Sequence, residues 1–303
     1  MSDSHADWLG RINSPLQTHP QPEQTIQRLL ALAAERLTPA SETALLDAEV
    51  LLCHCLHKTR SFLRAWPEHQ PSPEQTVCFL NLLEQRLQGT PIAYLTGERE
   101  FWSRNFKVSP DVLIPRPDSE LLIELSLEWL PADQACKIID LGTGSGILAI
   151  TLAAERPLAD VTASDISLSA LNIARQNAEQ LKTGNVRFLQ SHWFEGVTEQ
   201  SFDLVISNPP YIAENDSHLS QGDIRFEPYA ALVSDENGLK DIRSIAEQAR
   251  RHLKDGGHLL VEHGYNQQAQ VQAIFETLNY RQVATHTDLS GNPRVTSGLW
   301  NPA

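Results

Sequence analysis

Two short runs in the sequence carry residue types that do chemistry by placement. The first is Asp140-Leu141-Gly142-Thr143-Gly144-Ser145-Gly146. Glycine at alternate positions allows a tight turn and lets a ligand approach bare backbone. Nineteen residues past Gly146, the second strand of the sheet is expected to end in Ala163-Ser164-Asp165, where nucleotide-binding α/β sheets keep an acceptor for ribose hydroxyls. A dinucleotide fingerprint would need Gly in the place held by Ile147, and no Gly-Lys-Ser/Thr follows for a P-loop. A glycine-rich turn with no ligand is the bland alternative. The second run is Asn208-Pro209-Pro210-Tyr211, directly after Phe202-Asp203-Leu204-Val205-Ile206-Ser207. Two prolines cannot continue a central strand, and Asn208, preceding proline, is held extended. The chain must leave the sheet rigidly there.

The Gly-x-Gly-x-Gly spacing with Asp140 before it resembles the class I S-adenosylmethionine-dependent methyltransferases. The NPPY run resembles the motif of those that act on amino or amide nitrogen: adenine, cytosine or the glutamine side chain. The residue types suit that reaction. The lone pair of a planar –NH2 is delocalised, so two acceptors aimed at its two N–H bonds favour a pyramidal, more nucleophilic nitrogen. The Asn208 side-chain oxygen is one acceptor, and the Pro209 carbonyl, fixed by its ring, is the other. Tyr211 offers an aromatic wall for a planar group. The donor is already a sulfonium, so catalysis is mostly positioning for in-line displacement. No nucleophile–base pair is evident in the sequence.

Three further runs narrow the substrate: Thr96-Gly97-Glu98-Arg99-Glu100-Phe101-Trp102, Leu113-Ile114-Pro115-Arg116-Pro117-Asp118-Ser119-Glu120, and Asp223-Ile224-Arg225-Phe226-Glu227-Pro228. With NPPY they resemble the protein-(glutamine-N5) methyltransferases, in the branch that modifies class I peptide chain release factors, over about residues 25–300. The resemblance implies methylation of the glutamine in the release factors' Gly-Gly-Gln motif, leaving S-adenosylhomocysteine. It implies cofactor contacts at Gly142, Thr143, Gly144, Ser145, Gly146, Asp165, Trp193 and Asn208. It implies substrate-amide contacts at Asn208, Pro209, Pro210 and Tyr211, with Asn208, Pro209 and Tyr211 catalytic. One position departs: relatives usually carry an acid where this chain has His192, before Trp193, and that residue often holds the adenine amino group. Arg116 and Glu120 are one helical turn apart and read as a surface pair, or, by the resemblance, as residues at the pocket lip. Glu262-His263-Gly264 reads as a satisfied polar cluster at a strand end.

The elements that must position these residues follow from periodicity. Residues 1–23 read as a flexible leader. Over 24–90 the signals are helical: Ile26, Leu29, Leu30, Ala33 and Leu37 share one face. Ser41 is expected to cap a second helix with Leu45, Ala48, Leu52 and Leu56 inward. Ser72-Pro73 opens a third helix, with Val77, Leu80, Leu83 and Leu87 inward, and Gly89 stops it. This small all-helical domain is expected to recognise the protein substrate. Residues 91–115 alternate loosely, as in a linker or β-hairpin. From 116 to 303 helices and strands alternate: helix 118–130, strand 137–141, helix 145–155, strand 160–165, helix 168–182, strands 185–190 and 202–207, helix 239–254, strand 258–263, helix 267–279, and weaker strands at 281–288 and 294–300. The fold class is α/β, a doubly wound and mostly parallel sheet with ligands at the carboxyl ends of its strands.

Composition limits the partners. The 303 residues hold 38 acidic and 24 basic side chains, a formal charge of −14. Neither the part before residue 95 nor the rest is basic, and nucleic-acid binding needs Lys and Arg to displace counterions. This opposes a DNA or RNA amino-methyltransferase. A ribosomal-protein glutamine as the acceptor, or a binding module that keeps the fold without catalysis, would also carry these motifs. No apolar run approaches the roughly 20 residues that span a bilayer, and no basic-then-apolar leader marks a signal peptide. A cytoplasmic monomer without membrane contact is expected. Cys53-His54-Cys55-Leu56-His57 faintly resembles a metal site, but a helix puts only Cys53 and His57 on one face. Buried helix residues and no metal are expected.

Overall fold

The computed structural model describes residues 24–302, so the leader expected over 1–23 lies outside the described residues. Contacts divide the chain into two units after Gln88. The first holds α1 (Ile26–Leu37), α2 (Ala44–Leu56), α3 (Arg60–Ala65) and α4 (Pro73–Leu87). Ser72 and Gln75 form a reciprocal capping box at the start of α4, with Pro73 in its first turn. Ile26, Leu29, Ala33 and Leu37 are buried as their spacing predicts.

Two predicted faces are rotated. Leu45 and Val77 are exposed, while Asp47, Ala48, Leu51 and Leu52 of α2 and Thr76, Phe79 and Leu83 of α4 face inward. A charged residue turned inward explains α2. Asp47 accepts hydrogen bonds from Ser41 Oγ (2.9 Å), Thr43 Oγ1 (3.0 Å) and Arg86 Nε of α4 (2.9 Å). Ser41 therefore bonds Asp47 and the Thr43 N–H, and Thr43 is the N-cap. Among the described residues no cluster of His, Cys, Asp and Glu could hold a metal ion. No helix among them is long and apolar enough to cross a membrane.

The second unit begins with α5 (Ile92–Thr96) and an antiparallel hairpin, β1 (Glu98–Phe101) and β2 (Arg104–Lys107). Its two turn residues, Trp102 and Ser103, are both left-handed (φ 51° and 57°), the geometry that matches strand twist in two-residue hairpins. Side chains hold this costly turn: the Trp102 N–H donates to Glu120 and the Ser103 N–H to Glu100. Phe101 and Phe106 are buried in the core that also covers the sheet, so the segment expected as a linker packs within this unit.

After α6 (Glu120–Trp129) come β3 (Lys137–Leu141), α7 (Ile147–Glu155), β4 (Asp160–Asp165), α8 (Leu168–Gln180), β5 (Val186–Gln190) and β6 (Phe202–Ser207). One-turn α9 (Asp235–Gly238), α10 (Lys240–Ala249), β7 (Leu253–Glu262), α11 (Gln268–Thr277), β8 (Arg281–Thr287) and β9 (Pro293–Trp300) complete the unit. The seven strands run in the order β5-β4-β3-β6-β7-β9-β8, with β9 antiparallel to both neighbours. Successive residues feed opposite faces. Ile138, Leu204, Ile206 and Leu260 join one core; Ile139, Val205, Leu259 and Val261 join the other. Such a sheet is covered on both sides. The helix expected over 239–254 ends at Ala249, and β7 starts at Leu253, where Gly256 (φ 75°) accompanies a register shift against β6. The chain winds outward from β3 to β5 and returns to β6 on the other side of β3. This switch point is where open α/β sheets bind ligands.

Candidate active site

The register brings the chemistry-bearing strand ends level. Leu141 of β3 lies opposite Ser164 of β4 and Ser207 of β6, and Ser207 Oγ donates to the Leu141 carbonyl at 2.7 Å. The glycine loop leaves β3, Asp165 closes β4 and Asn208-Pro209-Pro210-Tyr211 leaves β6. Together they border a cavity of about 480 Å³, within the range of small-molecule sites.

Gly142 (φ 71°) shows why the loop is glycine: a Cβ there would lie 3.3 Å from the Trp193 ring. The Thr143 N–H donates to the Ser164 carbonyl and the Gly146 N–H to the Thr143 carbonyl, both at 2.8 Å, which fixes the turn. Of the predicted loop residues, Gly142, Thr143, Gly144 and Ser145 line the cavity. Gly146 does not. It is left-handed (φ 87°) and packs beneath α7 against Ile150 and Ala174, so α7 begins at Ile147.

Asp165 lines the cavity, and its oxygens accept from the Gly144 N–H and the Ser167 N–H at 2.9 Å each. Burial raises its pKa against those bonds. Asp140 is wholly buried under the loop. Its Oδ2 accepts from Thr143 Oγ1 (2.6 Å) and the Ala149 N–H (3.2 Å), and Oδ1 has no partner among the described residues. Burial pushes Asp140 up to about 7. A bare buried acceptor is costly, so this floor favours a proton or a donor.

Trp193 lines the cavity with a left-handed backbone (φ 48°), and its indole N–H donates to Asp241 at 3.2 Å. His192 also lines it, but its Nδ1 sits 3.0 Å from Glu195 in a half-exposed pair. The expected pair of Arg116 with Glu120 does not form. Glu120 accepts from the hairpin turn, and Arg116 pairs with Glu227, whose other oxygen accepts from the Ile114 N–H at 3.0 Å. Arg116, Pro228 and Ala231 lie on the cavity lining, so the ion pair fastens this lip.

The NPPY residues divide. Asn208 and Pro210 line the cavity; Pro209, between them, is buried and does not. Tyr211 does not line it either: its ring packs against the core on the α10 side of the sheet and its hydroxyl donates to Glu262 Oε1 at 3.3 Å. Asn208 Nδ2 donates to Ser119 Oγ at 3.0 Å, and Ser119 Oγ donates to Glu262 Oε2 at 2.6 Å. Ser119 and Glu262 are buried, at 0% and 1% exposure. Sequence reasoning passes over both as participants. Ser119 lies in a run noted for other residues, and Glu262 reads as a satisfied strand end. An acid ending the strand beside NPPY is the signal that could have found it. His263 does fit the expected cluster, bonding Thr296 Oγ1 at 2.8 Å.

The arrangement offers bare loop backbone and a carboxylate for a ligand with hydroxyls, beside a carboxamide oxygen that no group among the described residues engages. Two family models match the chain: a methyltransferase domain over residues 132–299 and a PrmC N-terminal domain over residues 28–97. The release factor glutamine methyltransferase of Shewanella oneidensis is 46% identical over 278 residues, 92% of this chain and 97% of that protein. That of Salmonella typhimurium is 50% identical over 256 residues, covering 84% and 92% of the two chains. That of Escherichia coli is 48% identical over 261 residues, covering 86% and 94%. The fold is similar to that of a methyltransferase from Pyrococcus furiosus, with a TM-score of 0.52 at 20% identity, covering 73% of this chain and 99% of that one.

Proposed function

This chain belongs to the release factor glutamine methyltransferases, and we propose that it works at the cavity between the glycine loop and Asn208. It methylates the side-chain amide nitrogen of a glutamine in release factors, by this reading the one in the Gly-Gly-Gln motif of class I factors. The donor we assign is S-adenosylmethionine. When bound, it supplies an electrophilic methyl on a positively charged sulfur.

The residues present fit such a donor. Asp165 has acceptor capacity for ribose hydroxyls. The loop from Gly142 to Ser145 offers backbone without side-chain obstruction, and Trp193 offers an apolar wall. Asp140 is off the lining: it lies buried under that loop, with Oδ2 holding the Thr143 hydroxyl and the Ala149 N–H and Oδ1 without a partner among the described residues, so it acts by shaping the loop. Gly146 then acts by shaping the loop.

On the acceptor side, Asn208 Oδ1 accepts from one N–H bond of the substrate amide; the Pro209 ring is off the lining, and only its backbone carbonyl, on the chain between the lining residues Asn208 and Pro210, is left to accept from the other. This localises the nitrogen lone pair toward the methyl. Pro210 borders the same space, and Tyr211 supports the motif from behind through Glu262. Alignment accounts for the rest, since a sulfonium donor needs no base before attack; as the nitrogen–methyl bond formed and the methyl–sulfur bond broke, the sulfur would leave as a neutral thioether and the nitrogen would release its surplus proton to water. The carrying observation is the Asn208 carboxamide, its nitrogen bonded inward and its oxygen without a partner among the described residues, on the lining beside the glycine loop.

The test is transfer of labelled methyl from S-adenosylmethionine to purified unmethylated release factors, with peptide mapping. Label on the Gly-Gly-Gln glutamine, lost in Asn208→Ala, is the expected result. Cofactor binding with label appearing instead on a ribosomal protein or nucleic acid would overturn the choice of substrate.

A further inference from the structure

Asn208 can act as an acceptor only if its carboxamide faces one way. The two ends of that group are nearly equal in size, so shape alone does not choose between them. The choice is made by what stands behind it. An ionised carboxylate only accepts hydrogen bonds, and a serine hydroxyl has one proton to give. Glu262 Oε2 lies 2.6 Å from Ser119 Oγ, so Ser119 spends its proton there. Its oxygen then has lone pairs left for Asn208, which must present Nδ2–H, at 3.0 Å. The Tyr211 hydroxyl occupies the other carboxylate oxygen and cannot serve Asn208. A flipped carboxamide would set its oxygen against a lone pair of Ser119.

We propose that Ser119 and Glu262 are positioning residues that lock the Asn208 carboxamide with its nitrogen inward and its oxygen toward the substrate amide. The inference rests on Asn208 being the acceptor in methyl transfer. The lock crosses three parts of the fold: the turn before α6, the end of β6 and the end of β7. It depends on Glu262 being ionised. A protonated Glu262 can donate, which frees the Ser119 proton to point at Asn208 and admits the flipped carboxamide.

The surroundings put this change near neutrality. Burial is the main force raising Glu262, up to about 7, and nearby Asp118 adds to it. The Ser119 hydrogen bond, Arg294 of β9 and the Tyr211 hydroxyl oppose the rise. Arg294 itself pairs with Asp118 (2.9 Å) and Asp288 (3.1 Å). Arg116 acts on Tyr211 from the cavity lip. The locked form is therefore present above about pH 7 and lost below it.

The experiment measures kcat and both KM values for the full-length enzyme with S-adenosylmethionine and an unmethylated release factor between pH 5.5 and 9. It also follows solvent exchange of the Asn208 carboxamide protons by NMR in the free enzyme. Wild type should lose at least tenfold in kcat from pH 8 to pH 5.5. Ser119→Ala, which removes one buried oxygen, should lower kcat at pH 8 by about 10- to 100-fold, as for other preorganised hydrogen bonds, with both KM values within about twofold. Glu262→Gln should be slow and insensitive to pH across 7. Carboxamide exchange should be slow in wild type at pH 8 and at least tenfold faster in Ser119→Ala. Wild-type kcat in Ser119→Ala, or an acid limb kept in Glu262→Gln, overturns the proposal. If Glu262→Gln fails to fold, Ser119→Ala decides. If wild type leaves the glutamine unlabelled, the functional reading fails, and carboxamide exchange alone judges the lock: unchanged exchange in Ser119→Ala overturns it.

Discussion

A single carboxamide carries the acceptor side of the reaction, and its loss has a definite expected size. Asn208→Ala should lower kcat about 100-fold or more, as removal of one preorganised hydrogen-bond partner does elsewhere. Steady-state transfer to a release factor reads it. Gly142→Ala acts on the donor side: its Cβ would meet Trp193 at 3.3 Å in a left-handed backbone. We expect at least tenfold weaker S-adenosylmethionine binding by calorimetry. Asp140 makes a pH prediction. Burial lifts its folded pKa to about 7, above the roughly 3.9 of an unfolded chain. The folded state thus holds a proton between those values that the unfolded state has released. This contribution is present at low pH and is lost as pH rises through 7, with a slope of up to about 1.4 kcal/mol per pH unit. Asp140→Asn cannot ionise. Its denaturation midpoint should gain on wild type between pH 5 and pH 8 in ligand-free protein. A gap that stays constant would refute the assignment. At this scale the sequence was readable where function is local. The glycine loop and NPPY each need a few adjacent residues. Ser119 and Glu262 lie 89 and 54 residues from Asn208, and only the folded chain, through the strand order and the turn before α6, joins them.

Elements were legible where one face was apolar and obscured where a polar contact set the rotation. The β3 and β6 runs fall where the pattern placed them because strands buried on both faces read as apolar stretches, while β4, with Thr162 and Ser164 in it, falls where the alternation of strand and helix placed it. α2 deceived the pattern because Asp47 faces inward to Arg86, and no periodicity rule anticipates a buried ion pair. The segment 212–234 has no regular period. It is held by point contacts: Ile212 exchanges backbone hydrogen bonds with Leu232 and Ser234, and Gln267 Nε2 donates to the Tyr211 carbonyl at 3.0 Å. Gly238 is the tightest of these points, since a Cβ there would stand 2.0 Å from the Tyr211 carbonyl oxygen. Gly238→Ala should therefore displace the NPPY exit. The expected signature is a loss of at least tenfold in kcat with S-adenosylmethionine affinity kept, measured by transfer assay and calorimetry. Unchanged kcat would show that the exit tolerates movement.

For the whole molecule, two units with separate cores imply separable duties. The helical unit is proposed to recognise the protein substrate, and the sheet unit to hold the donor. Removing residues 1–90 should raise KM for the release factor and leave S-adenosylmethionine binding intact; an unchanged KM would sink that division. The strand order has a consequence for how the second unit comes into being. β9 is laid between β7 and β8, antiparallel to both. It also carries Arg294, partner of Asp118, and Thr296, partner of His263. During synthesis, β7 and β8 therefore emerge before the strand that joins them. Until the β8–β9 hairpin docks through β9, a nascent chain exposes an unpaired edge on β7. Bare edges invite pairing with other chains, and β8 and β9, an antiparallel hairpin closed by residues 288–292, can pair with each other before they reach β7. The interval before that hairpin docks is when the β7 edge is open to pairing with another chain.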